Sequence, residues 1–208
     1  MEISKELIKK YLKQKDNQLY RDLIKKLEVN LIPQKKHLLR KKSAVSILLF
    51  TDKDQELYTI IIKRSQDNSP HSGQIGLPGG RKDITDLNLK KTAIREVKEE
   101  LGIKQNIEIL DGLNKIYIPV SNFEVQPFVG WLNHKPLITS NKDEVKEYYF
   151  VPVKALVKKL ENITTYTVEV RGKQLAVPGF FCQGVFVWGA TAKILADFVS
   201  KIKPLFQQ

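Results

Sequence analysis

Residues 77–103, LPGGRKDITDLNLKKTAIREVKEELGI, place Glu96, Glu99 and Glu100 within five positions, a short way after a Pro-Gly-Gly turn. Like charges three or four apart on a solvated helix cost only about 0.2–0.5 kcal/mol per pair. Repulsion alone therefore demands no cation. Where such a face is partly buried, the effective dielectric falls and the same pair costs several-fold more. A hard divalent ion with oxygen ligands then reverses the balance. The carboxylates by themselves fit two readings, a metal site and a solvated acidic face.

Either reading needs a helix to carry them. At roughly 100° per residue, Ala93, Ile94, Val97 and Leu101 fall on one arc suited to packing on a sheet. Glu96, Glu99 and Glu100 take the neighbouring arc, at the border of core and solvent. Gly102 is placed to end the helix in the left-handed conformation. Pro78-Gly79-Gly80 lets the backbone turn tightly and expose carbonyls beside the acidic arc. Around the helix the sequence reads as strands: SAVSILLF and LYTIIIKR, separated by TDKDQE, then IEILDGLNKIYIPVS and FEVQPFVGWL, with Pro119 and Pro127 expected to confine these to edges or bends. YYFVPVKALVKKL reads as a strand running into a short helix, TYTVEV and KQLAV as a hairpin around Gly172, and VFVWGATAKILADFVSKI as a strand and closing helix. No regular βαβ alternation emerges, so an α+β mixed sheet flanked by helices is expected.

The chain has 208 residues and a net charge of +12. One α/β domain with an appendage accounts for that length. Residues 1–42 hold thirteen Lys and Arg against five Asp and Glu, so +8 of the excess lies in this leader. Within it Leu7, Ile8, Tyr11 and Leu12, then Tyr20, Leu23, Ile24 and Leu27, recur at helical spacing, which predicts one basic amphipathic helix or two joined near Asp16-Asn17. Such a helix either attracts polyanions or acidic lipid, or packs on the domain with its lysines in water. No apolar run approaches the roughly 18–20 residues of a membrane span. A single cysteine, Cys182, excludes a disulfide framework. With no stretch of signal-peptide type, a cytoplasmic location is expected.

REVKEELGI, Arg95 to Ile103, resembles the second half of the signature of the Nudix hydrolases, GX5EX7REUXEEXGU with U aliphatic, at every specified position. The first half departs: Gly80 to Arg95 is one residue longer, and Asp83 and Asp86 stand where a glutamate is usual. That spacing is similar to the coenzyme A pyrophosphatase subgroup. KRSQDNSPHSGQIGLPGG keeps the subgroup's Arg64, Ser65, His71, Gly73, Gln74, Pro78, Gly79 and Gly80 in register, and VFVWGATAKIL resembles its ending. The resemblance covers about residues 43 to 200. Three positions differ from the subgroup: Ser69 for a second arginine, Leu77 for a phenylalanine and Ile62 for a threonine. Losing an arginine removes a planar phosphate contact.

The resemblance implies a Nudix-type α/β/α sandwich at 43–208 behind a helical extension at 1–42. It also implies hydrolysis of a nucleotide pyrophosphate, coenzyme A or a derivative, with another nucleotide conjugate, capped RNA or a non-catalytic nucleotide sensor as alternatives. Mg2+ or Mn2+ would be held by Glu96 and Glu100, with Glu99 as ligand or part of the base relay and Gly80 offering a carbonyl. Glu144 would supply a further carboxylate, with Glu147 as second choice, and Arg95 would orient the glutamates. Arg64, His71, Gln74 and Gly79 are the expected substrate contacts. Each supporting residue also has a plainer role: a loop histidine, a surface pair for Arg64, packing for Gln74 and Trp188, core cover for Phe180 and Phe181. A small nucleotide is the expected partner, without a membrane. Nucleic acid is a lesser alternative, and the leader could pack on a second copy in a homodimer.

Overall fold

Successive side chains leave a strand on opposite faces, and β1 (Lys41–Thr51) is apolar on both. Ile47 and Leu49 enter one hydrophobic cluster, Leu48 and Phe50 another. A strand of that kind belongs inside a sheet covered on both sides. The computed structural model describes residues 3–28, 39–67, 70–170 and 172–207. In it β1 lies between β2 (Leu57–Arg64), antiparallel, and β7 (Phe123–Trp131), parallel. β3 (Ile75–Gly76) and β8 (Val145–Pro152) flank β2. β4 (Gly79–Arg81) pairs with the start of β1, and β5 (Glu108–Gly112) and β6 (Ile116–Ile118) share the far edge of β7. The sheet is mixed, as the irregular order of elements suggested.

Pro127 departs from expectation, because β7 is an interior strand rather than an edge. The partner on its outer side changes there: β6 pairs with residues 123–125 and β5 with residues 128–131. The missing N–H of Pro127 falls in that gap, while its carbonyl still accepts from the Leu113 N–H at 3.0 Å. A proline is tolerated where no ladder bond is demanded of it.

Helix α3 (Leu89–Leu101) covers one face. Its N-cap is Asn88, whose side chain accepts from the Lys91 N–H, and Gly102 ends it at φ 63°. Val97 and Leu101 pack there with Leu48, Phe50, Ile60 and Ile62. Over the other face lie α4 (Val153–Leu160) and α5 (Gly189–Ile202). A three-stranded sheet, β9 (Thr164–Val170), β10 (Lys173–Cys182) and β11 (Val185–Trp188), sends Phe180, Cys182 and Val187 into the same cluster. The β9–β10 hairpin turns at Gly172, with φ 73°.

The leader resolves into two helices, α1 (Lys5–Leu12) and α2 (Gln18–Lys26), with Asn17 capping the second. Ile8, Leu12, Leu23 and Leu27 are buried in the cluster that holds Leu195, Phe198 and Ile202 of α5. Polar contacts fasten the same seam. Asn17 Nδ2 donates to the Ser200 carbonyl at 2.7 Å, Lys201 Nζ to the Gln14 carbonyl at 2.9 Å, and Lys5 Nζ to Glu108 at 2.8 Å. Lys9, Lys10, Lys13, Lys15, Lys25 and Lys26 stay in solvent. The remainder of the expected leader, residues 29–38, lies outside the described residues, as does Ser69. Among the described residues no helix is long and apolar enough to cross a membrane.

Candidate active site

The Pro78-Gly79-Gly80 turn is pulled two ways. On one side it joins β1, with the Ser46 N–H donating to the Pro78 carbonyl at 2.8 Å and the Lys82 N–H to the Lys42 carbonyl at 2.9 Å. Bonded pairs alternate along an antiparallel ladder, so Gly80, opposite Ala44, turns its carbonyl toward β1. Gly79 faces the other way. Its N–H donates to Glu100 Oε2 at 2.8 Å, and its carbonyl accepts from Arg64 Nη2 at 2.6 Å. The carbonyl on the acidic side of the turn is thus that of Gly79, covered here by Arg64, and not the one expected of Gly80. Gly80 matters through its missing side chain, because a Cβ there would stand 2.5 Å from Glu96 Oε2.

A cleft of about 200 Å³ opens beside this turn, lined by Arg64, Ser65, Asp67, Gly79, Gly80, Arg81, Glu96, Glu100, Asp143 and Glu144. Helix α3 contributes Glu96 and Glu100 from adjoining turns. Glu144 comes from the loop before β8, which is tied to both neighbours. The Asn141 N–H donates to the Glu100 carbonyl at 3.0 Å, and the Ser65 N–H to the Glu144 carbonyl at 2.9 Å. Chain segments far apart in sequence thereby bring Glu96, Glu100 and Glu144 to one space, with Asp67 and Asp143 also in its lining.

Glu100 is only 1 % exposed. Burial pushes its carboxyl up to about 7, against the pull of Arg64 and the Gly79 N–H and with the help of Glu96 and Glu144. Glu96 is raised as well, first by burial, with Arg95 opposing and Glu99 and Glu144 adding repulsion. Desolvation together with a nearby like charge is the signature of a site where negative charge is concentrated.

Arg95 organises the outer edge. Nε and Nη2 grip the two oxygens of Asp86 at 3.2 and 3.0 Å, and Nη2 also reaches the Arg81 carbonyl at 3.0 Å and Glu96 Oε1 at 2.9 Å. Nη1 holds Glu99 Oε2 at 2.6 Å. The bidentate partner is therefore Asp86 and not a glutamate of the helix, and the Arg95 bond holds its carboxyl down at about 2. Asp86 is the principal residue that the sequence reading left without a role. The available signal was its place in the lengthened spacer, where the usual pattern has a glutamate.

The other expected residues divide. Glu99, held by Arg95 and with its side chain 51 % exposed, does not line the cleft. Glu147 belongs to a surface group with Tyr149 and Lys63. His71 faces Gln74 Oε1 at 3.2 Å through Nδ1 and Ser121 Oγ at 3.1 Å through Nε2, and neither His71 nor Gln74 lines the cleft. The Gln74 carbonyl accepts from the Arg64 N–H at 3.0 Å, fixing the end of β2. Thr191 Oγ1 donates to the Ile75 carbonyl at 3.1 Å, so the Trp188-Gly189 ending docks α5 against β3. Phe180 is core; Phe181 is partly exposed and packs on Tyr166 and Phe186. Leu77 and Ile62, two departures from the subgroup, are both core residues.

Among the described residues no three Asp, Glu, His or Cys side chains converge closely enough to form a metal cage. Mg2+ does not need one, since it binds through one or two carboxylates and keeps several waters for substrate oxygens to replace. Glu96, Glu100 and the Gly79 carbonyl form an all-oxygen set of that kind, with Glu144 in the same cleft. These donors fit a hard divalent ion.

Comparison with known proteins agrees with this geometry. The model of the NUDIX domain matches residues 40–169. The Nudix hydrolase NudL of Pectobacterium atrosepticum is 33 % identical over 146 residues, covering 69 % of this chain and 74 % of that one. NudL of Photorhabdus laumondii is 27 % identical over 183 residues, 88 % of this chain and 97 % of its own. Among solved structures, a NUDIX hydrolase from Alicyclobacillus acidocaldarius superposes with a TM-score of 0.55 at 13 % identity, covering 82 % of this chain and 96 % of that chain. The fold, the acidic helix beneath its Pro-Gly-Gly turn and the sequence matches all lead to one family, and the chain belongs to the Nudix hydrolases.

Proposed function

We infer that this protein hydrolyses the phosphoric anhydride of a nucleoside diphosphate-linked compound by attack of water on phosphorus. Its substrate is coenzyme A or a derivative, giving 4'-phosphopantetheine and adenosine 3',5'-bisphosphate. The observation that carries the reaction class is the meeting of Glu96, Glu100 and Glu144 in one cleft beside the Gly79 carbonyl. The coenzyme A assignment rests on the Arg64-Ser65, His71-x-Gly73-Gln74 and Trp188-Gly189 segments.

A pyrophosphate resists nucleophiles because its oxygens are negative. Mg2+ or Mn2+, held by Glu96, Glu100 and the Gly79 carbonyl, would neutralise that charge and acidify a water when bound. Glu144 faces the same space and is the candidate base for the proton of the attacking water; Glu99 could serve only by leaving Arg95. Arg95 orients Glu96 and anchors the helix to the Asp86 loop. Arg64 meets the phosphates, while Gly79, its N–H spent on Glu100, serves through its carbonyl and not as the substrate contact expected of it. His71 and Gln74 shape the loop that closes on Arg64.

The exposed lysines of α1 and α2 favour a second reading, a Nudix enzyme acting on capped RNA, since they present a cationic surface to a polyanion. The division expected at 1–42 and 43–208 falls inside β1, so the proposal sets an extension carrying α1 and α2 before a catalytic domain that begins with β1 at Lys41, both helices serving as part of the core. The apolar faces of α1 and α2 are spent within the chain, so a homodimer would need another surface.

Coenzyme A, capped RNA and a panel of nucleoside diphosphate conjugates are incubated with Mg2+, and products are identified by mass. Coenzyme A cleavage that disappears in Glu100→Gln is expected. Intact coenzyme A beside cleaved RNA would reverse the order of substrates, and full activity in Glu100→Gln would remove the site. A sensor would bind nucleotide and cleave nothing.

A further inference from the structure

Arg64 ends β2 at a register shift in the pairing with β8, between Lys63 and Arg64. Its side chain reaches the cleft. Nη2 donates to the Gly79 carbonyl at 2.6 Å, and Nη1 stands 3.3 Å from Glu100 Oε1. The other oxygen of Glu100 is occupied by the Gly79 N–H, and the ladder takes the Gly80 carbonyl. Glu100 Oε1 and the Gly79 carbonyl are therefore the two oxygens left to a cation on this side of the cleft. One guanidinium fork spans both. A lysine, a single point of charge, would not cover the pair.

We propose that Arg64 is a built-in counter-ion which holds these two oxygens and yields them to a divalent cation, turning its freed guanidinium toward the phosphates of the substrate. The proposal rests on the cleft being the cation and phosphate site inferred above. A dication and a guanidinium repel each other and cannot both occupy the inner edge of Glu100. The Nη1 contact is the longer one and is made by a side chain still 31 % exposed, so that arm has room to move. It would move within a cleft where an anionic substrate meets few other cations, Arg81 being the remaining one in the lining. Cation and phosphate binding become linked, each raising the affinity for the other by the same factor.

A residue that merely oriented Glu100 would behave in the opposite way, because its removal would loosen the ligand set and weaken cation binding. Mn2+ affinity is measured by electron paramagnetic resonance on the full chain without substrate, at alkaline pH where protons compete least for carboxylates. The wild type, Arg64→Gln and Glu100→Gln are compared. Binding of a methylene-bridged nucleoside diphosphate is then titrated with and without Mn2+. Arg64→Gln should bind Mn2+ several-fold more tightly than the wild type and lose the gain in analogue affinity that Mn2+ confers. Mn2+ binding equal to or weaker than wild type, or a gain that survives, overturns the proposal. Glu100→Gln binding Mn2+ as the wild type does would instead dismiss the cation site itself. Should Arg64→Gln fail to fold, Arg64→Lys is read by the same criteria, since it keeps the charge and loses the fork.

Discussion

Glu100 concentrates the cost of this site in one side chain. Its carboxyl has an ordinary value of 4.5 and stands at about 7 in the fold. A folded value above the unfolded one means that the stability it allows is complete below about pH 4.5 and is lost as the pH climbs through about 7. The gap corresponds to about 3 kcal/mol, the cost of ionising a buried carboxyl beside Glu96 and Glu144. In EDTA, urea unfolding should show the wild type less stable at about pH 8 than at about pH 5, with the loss much reduced in Glu100→Gln. Equal pH dependence in the two proteins would show that Glu100 ionises freely. At this scale the sequence was informative about identity and silent about surroundings. The spacing of Glu96 and Glu100 placed them on one arc, but a helical wheel does not say that Glu100 is buried and Glu99 half-exposed. That depends on which arc the sheet covers.

At the scale of elements, the site is a junction of helix α3 with the β4 turn, and its tolerance is set by how closely the two approach. A Cβ on Gly80 would meet the end of the Glu96 side chain at 2.5 and 2.6 Å. A carboxylate tip can move aside at small cost, whereas a misplaced ligand is costly to catalysis. Gly80→Ala should therefore lower kcat about 100-fold while changing stability by less than about 1 kcal/mol. Steady-state kinetics and thermal melting check the two halves of that statement, and a large fall in Tm with normal kcat would refute it. Some element boundaries were legible: Gly102 ends α3 and Gly172 turns the hairpin, because left-handed glycines are local chemistry. Pro127 was not, since whether a strand can spare an N–H depends on where its neighbours stop.

Over the whole molecule, the leader is part of the core. Ile8 is fully buried against the cluster that includes α5, remote in sequence from the residues of the cleft. Ile8→Ala should cost about 3 kcal/mol of stability and leave kcat of the folded enzyme near that of the wild type. Denaturant unfolding with kinetics at low temperature checks it, and a stability loss below about 1 kcal/mol would show that α1 is a detachable appendage. Deleting residues 1–42 is accordingly a poor way to ask whether the lysines guide RNA. Reversing the charge of Lys9, Lys13 and Lys25 leaves the packed face intact.

By itself the sequence determined the family, the longer elements and the acidic helix, because helical period, caps and a spaced signature are properties of neighbours along the chain. Only the tertiary structure decided that Asp86 holds Arg95, that Gly79 and not Gly80 offers its carbonyl, and that Arg64 and Glu144 meet Glu100 while His71 and Gln74 stay apart. Those outcomes turn on ladder alternation, on burial and on loops brought together across the sheet, and none of these is written in local spacing.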